Sequence, residues 1–467
     1  MNADTKTYSR MVFLAALGLV AARATAGDWP QFRHDSRRSA VSADQLPDKL
    51  HLQWTREFPQ PRPAFPGEVR LRYDAVQEPV VLGKSVFVPS MITDSVTSLD
   101  TETGKIQWRF FAEGPVRFAP VASQGKVHFA SDDGYLYCVA ASDGSLLWKV
   151  RGLPEDRADR KVMGNKRLIS LWPARGGPVL ENGVVYFTAG LWPTYDVFAH
   201  AVDADTGRIL WSNTDSNRVE GANMDHGQNV VAGVTPQGYL ALVNGMLVVP
   251  CGAQLPAFLN PKTGKLGRYT MGWGGRNGLP KGSWFVAGAG KYLSHSGDLY
   301  DVSKPSKETF RQSSGRNDFK RMLYAGGFTR LLIDPTNHRE LGEFRMPVLS
   351  KQTMYDSHDG VITAHDLQSA AIEDRNKSDE PNYRKTDRYP DRIKAIFRER
   401  WRFSSPLQPR IRAGNRLYLA GKGAVAAIDL PRDGDSPRTS WQAKIEGTPH
   451  RLLAADDKLF VMTREGR

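Results

Sequence analysis

The sequence predicts an all-β chain, an eight-bladed β-propeller of four-stranded antiparallel blades, and three observations predict it. The stretch SLDTETGKIQW, ending at Trp108, returns as CVAASDGSLLW ending at Trp148 and AVDADTGRILW ending at Trp211, and FLNPKTGKLGRY closes on Tyr269 instead. Upstream of each lies a second recurring element: PVVLGKSVFV from Pro79, PVASQGKVHFA from Pro120, PVLENGVVYFT from Pro178 and LALVNGMLVVP from Leu240. The anchoring aromatics stand 40, 63 and 58 residues apart, and four-stranded units at a period of about 40 to 50 residues plus insertions are the pattern of propeller blades.

Each element has a physical reading. Asp100, Ser142 and Asp203 carry short polar side chains suited to turn hydrogen bonds. Gly104, Gly144, Gly207 and Gly264 supply the positive φ that a short bulged hairpin requires. The alternation of Ile106 and Trp108 places both on one face of the outgoing strand, which must be buried against a neighbour. The upstream elements read as strand, turn at Gly83, Gly125, Gly183 or Gly245, and a β-branched and aromatic second strand.

In chain order, Lys6 and Arg10 precede an apolar run from Met11 to Ala22 and then Ala24-Thr25-Ala26, the order of a secretory signal cleaved near residue 26. No cysteine lies at the processing site to carry a lipid anchor, and no other segment approaches the ~20 apolar residues of a membrane span. Residues 27–72 read as a lead-in, DWPQFRHDSRRSA, followed by Leu52–Thr55, a lone outer strand bearing Trp54. Such a strand closes the ring by completing the last blade and removing an open edge. Residues 73–467 form the propeller, with polar insertions at about 303–328 and 371–400.

Beyond Tyr269 the repeats fade. Ser283–Val302 carries a fifth Gly turn and aromatic strand, its closing turn placed at Asp334–Asn337. Gly360–Leu367, finishing at Trp401, reads as a sixth blade, and Arg410–Leu430 with Trp441 as a seventh. The last residues, GTPHRLLAADDKLFVMTREGR, give two strands around Asp456-Asp457. Their third strand is missing, so the final blade reads as incomplete or the sequence as truncated relative to its relatives. The mixed charges from Ala371 to Arg400 suggest a surface insertion with a short helix around Ile393–Arg400.

The Gly turn, the aromatic strand and the Asp-x-x-Thr-Gly-x-x-x-Trp pattern resemble the tryptophan-docking repeat of the pyrroloquinoline-quinone (PQQ)-type β-propellers. That family includes the quinoprotein alcohol dehydrogenases and the outer-membrane assembly factor BamB. The resemblance is strong over residues 76–270. It implies that an aromatic from each blade docks on the next, a role that falls on Trp54, Trp108, Trp148, Trp211, Tyr269, Trp401 and Trp441. It also implies PQQ and calcium for an enzymatic member.

The residues speak for chemistry only weakly. The vicinal cysteine pair of the quinoprotein dehydrogenases is missing, because Cys138 and Cys251 are 113 residues apart and fall in different blades, as free buried thiols. Trp192-Pro193-Thr194-Tyr195-Asp196 keeps only a fragment of a quinoprotein signature, and the sequence has no CxxCH haem motif. Asp225-His226, His295 with Asp298, His358-Asp359 and His365-Asp366 lack metal-site spacing. The loop MGWGGRNG from Met271 to Gly278 lacks the Lys-Ser/Thr of a phosphate loop.

The channel mouth remains. Residues just before the innermost strands form a ring: Gln77, Glu78, Arg117, Arg175, His226, Arg410 or Arg412, His450 and Arg451. With a net charge of +13, this cationic ring suits carboxylate, phosphate or sulfate groups. Arg117, Arg175, His226, Arg412, His450 and Arg451 are therefore the candidate ligand contacts. The sequence expectation is an exported, monomeric, non-catalytic propeller that binds a protein or an anionic polymer, without cofactor and without nucleic acid. Two alternatives stand: a PQQ- and calcium-dependent oxidoreductase, and the propeller part of a longer enzyme.

Overall fold

The computed structural model describes residues 27–214, 218–223, 229–252, 254–268, 282–305, 328–332, 346–374, 393–421, 423–431 and 435–467. The signal sequence, His226, Tyr269, the Met271–Gly278 loop and the Asp334–Asn337 turn lie outside them. Among the described residues no helix is long and apolar enough to cross a membrane.

Each sequence repeat becomes one antiparallel sheet. The first is a meander of Val80–Leu82, Ser85–Ser90, Ser95–Asp100 and Ile106–Phe111, and the second of Val121–Ser123, Lys126–Ala130, Tyr135–Ala140 and Leu146–Arg151. Among the described residues eight such sheets follow in chain order, their first strands being Val80–Leu82, Val121–Ser123, Gly176–Glu181, Ala241–Val243, Val286–Ala289, Val348–Leu349, Gln408–Ala413 and Pro449–Ala455. Two further hairpins, Lys161–Gly164 with Arg167–Ser170 and Arg218–Asn223 with Asn229–Gly233, stand apart. The last sheet holds two strands, Pro449–Ala455 and Lys458–Thr463, as the sequence expects.

One reading is overturned. Residues around Ile393–Arg400 are not helical: Ile393–Ile396 pairs with Ala371–Asp374 and, in parallel, with Phe328–Leu332, while Glu399–Ser404 closes the sixth sheet. The β-branched Ile393 and Ile396 and the alternation around Trp401 and Phe403 suit an extended chain, and the dense charges drew the helical reading.

Indole rings join the sheets. Trp54 donates to Thr101 O at 2.9 Å, Trp108 to Ala141 O at 3.0 Å, Trp148 to Asp205 O at 3.2 Å, Trp211 to Pro261 O at 2.8 Å and Trp441 to Leu50 O at 3.2 Å. The rings of Trp54, Trp108, Trp148 and Trp211 each lie on the glycine of the neighbouring turn. A Cβ on Gly144, whose φ is +75°, would fall 2.6 Å from Trp108 Cε3. Asp100 and Asp203 cap their turns as expected, accepting from the amides of Thr103 at 2.8 Å and Thr206 at 2.9 Å. Trp401 packs on Tyr355 of its own sheet, ring centroids 5.7 Å apart.

The lead-in performs a role that the sequence did not disclose. It runs around the axis and bonds successive inner strands in turn. Trp29 O accepts from the amide of Val81 at 2.9 Å, Pro30 O from Ala122 at 2.8 Å, Ser36 O from Leu242 at 2.8 Å, Arg37 O from Gly288 at 2.8 Å and Ser39 O from Leu349 at 2.9 Å. Ala40 O takes the amide of Arg412 at 2.9 Å, and the Gln31 side chain bonds Leu180. Gly27 O accepts from Asp456 at 3.2 Å, so the segment touches all eight sheets. Its winding path puts Arg33, His34, Arg38 and Ala40 at positive φ. Arg38 is fully buried, and its guanidinium is held by the carbonyls of Leu240, Pro178 and Phe32.

Leu52–Thr55 forms no strand, yet the closing role falls to this stretch: Phe58 donates to Gly466 O at 2.8 Å while Trp54 docks on the first sheet.

Candidate functional site

Among the described residues, aromatic side chains pack together where the inner strands converge. Phe32 of the lead-in joins Tyr73, Phe118, Tyr239 and Trp284 in one buried cluster. Phe32 stacks on Tyr239 at 3.7 Å and Tyr73 on Phe118 at 4.7 Å, while Phe118 meets Tyr239 edge-on at 5.1 Å. Tyr239 OH accepts the amide of Ala119, which satisfies its polar end.

Two charged clusters flank these rings. In the first, Arg117 binds Asp132 through Nε at 2.6 Å and Asp74 through Nη1 at 2.7 Å. Arg175 takes both oxygens of Asp132, at 2.6 and 2.8 Å, and donates to Tyr73 OH at 3.1 Å. Two guanidiniums and two carboxylates thus balance within a site less than a tenth exposed. Burial raises the Asp132 pKa, but Arg175 and Arg117 outweigh it and hold that carboxyl below its usual range. Asp74 ends raised, because burial outweighs Arg117.

In the second cluster, Arg451 pairs with Glu78, and Arg33, Arg410 and His450 line the same cavity of about 20 Å³. Burial, reinforced by Arg451, pulls the pKa of both Arg33 and Arg410 down to about 9. Burial followed by Arg451 and Arg410 keeps His450 well below its ordinary value.

The structure therefore brings Arg117 and Arg175 together with partners that the sequence did not name, and sets His450 and Arg451 in a separate cavity. Arg412 does not join them. It lies towards the opposite end of its strand, bonded to the lead-in, and Arg410 occupies the mouth in its place. Asp132 escaped notice because it lies in a turn between two strands of one sheet, and Asp74 because it stands six residues ahead of the first inner strand. The only available signal was a buried carboxylate demand set by two arginines.

Cys138 and Cys251 are free and buried in the second and fourth sheets. His295 is buried with Nδ1 at 2.9 Å from Phe285 O, and among the described residues no group of three or more His, Cys, Asp or Glu could hold a metal ion. Trp192 and Tyr195 are exposed on a short turn.

Successive sheets, indole docking and aromatic packing where the inner strands converge define a β-propeller of tryptophan-docking repeats. The family profile described as outer membrane protein assembly factor BamB matches residues 51–169 and 132–267. Polyvinylalcohol dehydrogenase of Sphingopyxis sp. is 24% identical over 188 residues, covering 38% of this chain and 25% of that protein. The dehydrogenase subunit of the quinone alcohol dehydrogenase of Gluconobacter oxydans is 28% identical over 130 residues, 24% of this chain and 16% of that protein. The chain thus matches a quarter or less of the length of these curated relatives. Among solved structures, the quinohemoprotein alcohol dehydrogenase of Comamonas testosteroni superposes with a TM-score of 0.54 at 15% identity, over 94% of this chain and 77% of that one. Over residues 51–267, just under half of the chain, the sequence carries β-propeller repeats similar to those of the PQQ-type family.

The described residues do not fit the cofactor of the family's enzymes. PQQ is a planar three-ring tricarboxylate, and the axial space that could receive it is filled by Phe32, Tyr73, Phe118, Tyr239 and Trp284. Three buried carboxylates of the two charged clusters, Asp74, Asp132 and Glu78, are each held by an arginine and not turned to a calcium site.

Proposed function

We propose that this chain is an exported, monomeric, non-catalytic binding propeller that seats a protein on two loops, the connection from its second to its third sheet and the turn around Trp192–Asp196 within the third. The observation that carries this reading is a group of exposed apolar side chains on those loops. Met163 and Leu168 are cross-strand neighbours in the hairpin Lys161–Gly164 with Arg167–Ser170, and 72% and 60% exposed. The hairpin leans on the first sheet through Arg167, which binds Asp94 and the carbonyl of Ile92. Trp192 and Tyr195 project from the third sheet, tied to the second by Arg157, which pairs with Asp196 at 2.6 Å. Exposed apolar groups rimmed by paired charges suit a protein surface better than an anionic polymer. The arginines Arg117 and Arg175, whose charges are answered from within, serve the scaffold on this reading.

Export rests on the Lys6–Ala26 pattern alone. The competing reading is a quinoprotein oxidoreductase, and one assay separates the two. The protein is incubated with PQQ and calcium and tested for dye-linked oxidation of alcohols and polyvinyl alcohol. The binding reading expects no turnover above cofactor alone; saturable turnover overturns it.

A further inference from the structure

The second buried cluster is not balanced in charge. Arg33, Arg410 and Arg451 converge on one cavity with Glu78 as the lone carboxylate in its lining, and each of the four is no more than about a tenth exposed. Glu78 is committed to Arg451. Arg33 spends Nε on Arg38 O at 3.0 Å and another nitrogen on Pro347 O, and its guanidinium lies 5.1 Å over the Phe285 ring. Arg410 Nε and Arg451 Nη1 are buried with no hydrogen-bond partner. Buried donors are almost always satisfied, and a buried charge without an answering one is strongly unfavourable. The contrast with the Arg117–Arg175 cluster is direct, since there two carboxylates meet two guanidiniums.

We propose that the cavity between Arg33, Arg410 and Arg451 is a built site for a small monovalent anion of halide size. Its volume of about 20 Å³ suits one or two water-sized species. The anion would accept from the idle Arg410 Nε and Arg451 Nη1 and offset the excess positive charge. A neutral water could accept both bonds but would leave the charge unanswered. His450 stays uncharged beside three cations and contributes no further charge. The site joins the seventh and eighth sheets, which supply Arg410 and Arg451, to the lead-in, which supplies Arg33, so the anion would act as an internal rivet. The inference does not depend on the protein-binding role proposed above.

The test uses bromide. Melting temperature is followed as sodium bromide replaces sodium gluconate at constant ionic strength, and crystals grown in bromide are measured at its absorption edge. Expected are a saturable rise of about 2 °C or more and an anomalous peak between Arg410 and Arg451. In Arg410→Met the rise disappears, and stability in gluconate is no lower than in the parent because one unanswered charge is gone. An empty cavity in the anomalous map overturns the proposal, as does a bromide-dependent rise that survives in Arg410→Met. If that variant does not fold, the map of the parent protein decides alone.

Discussion

Trp54 lies flat against Gly104: a Cβ added to that glycine would fall 2.6 Å from the indole Cδ2. The two residues come from opposite ends of the ring, because Trp54 runs alongside the eighth sheet, its ring 6.0 Å from Phe460, while Gly104 turns the first. The contact is the closing clasp. Trp54→Ala removes it, and the expected result is faster amide hydrogen exchange in Pro449–Thr463 with little change in Tyr135–Arg151. Equal acceleration in both segments would show that Trp54 does not act locally.

The glycine turns allow backbone freedom and ring contact to be separated. Gly144 and Gly125 have nearly the same φ, +75° and +73°, but only Gly144 is covered by an indole, and nothing lies within 4 Å of a Cβ on Gly125. Gly125→Ala should cost about 1 kcal/mol from conformation alone. Gly144→Ala should cost about 2 to 4 kcal/mol, since Trp108 must also move. Urea unfolding of the pair measures the difference, and equal losses would remove the docking argument.

Asp132 answers two buried arginines, so Asp132→Asn should destabilise by about 3 to 5 kcal/mol in urea unfolding. Its carboxyl titrates below the unfolded value in the folded protein. The stability that it contributes is therefore full above the unfolded carboxylate pKa of about 4 and is lost as pH falls through the lower folded value. The Asn variant should lack that portion of the acid-induced loss.

His200 gives a second acid dependence in a different window. It is buried, with Nε2 donating to Gly152 O at 3.1 Å and Nδ1 accepting from Ser212 Oγ at 2.8 Å, and burial lowers its pKa to about 4. Because the folded value is depressed, the unfolded chain takes up the proton first. Stability is full above about 6.5 and declines as pH falls toward about 4. His200→Gln should flatten the melting-temperature profile between about pH 6.5 and about 4.5; an unchanged slope would assign it elsewhere.

The repeat architecture was legible because its signals are local. A glycine four residues before a tryptophan, a short polar side chain at the turn and alternating apolar residues each act within one hairpin, so Trp108, Trp148 and Trp211 could be placed by spacing alone. The arginines before the inner strands were equally legible, and their partners were not. Asp132 sits in a turn of the second sheet and Asp74 in a loop before the first, and nothing in spacing says that both face Arg117. The lead-in was opaque for a further reason. Its residues follow neither strand nor helix period, and non-glycine residues such as Arg33 and Arg38 adopt left-handed backbone only because surrounding strands hold them there.

The course of residues 27–42 around the hub carries a consequence for assembly. A segment synthesised ahead of every sheet finds its last seats on Arg412 and Asp456, near the other terminus. The hub cannot finish until the rim exists, so maturation is bound to long-separation contacts, and such topologies fold slowly. A chain shortened by its final hairpin forfeits the seat of Gly27 along with that hairpin, and damage at one terminus is felt at the other.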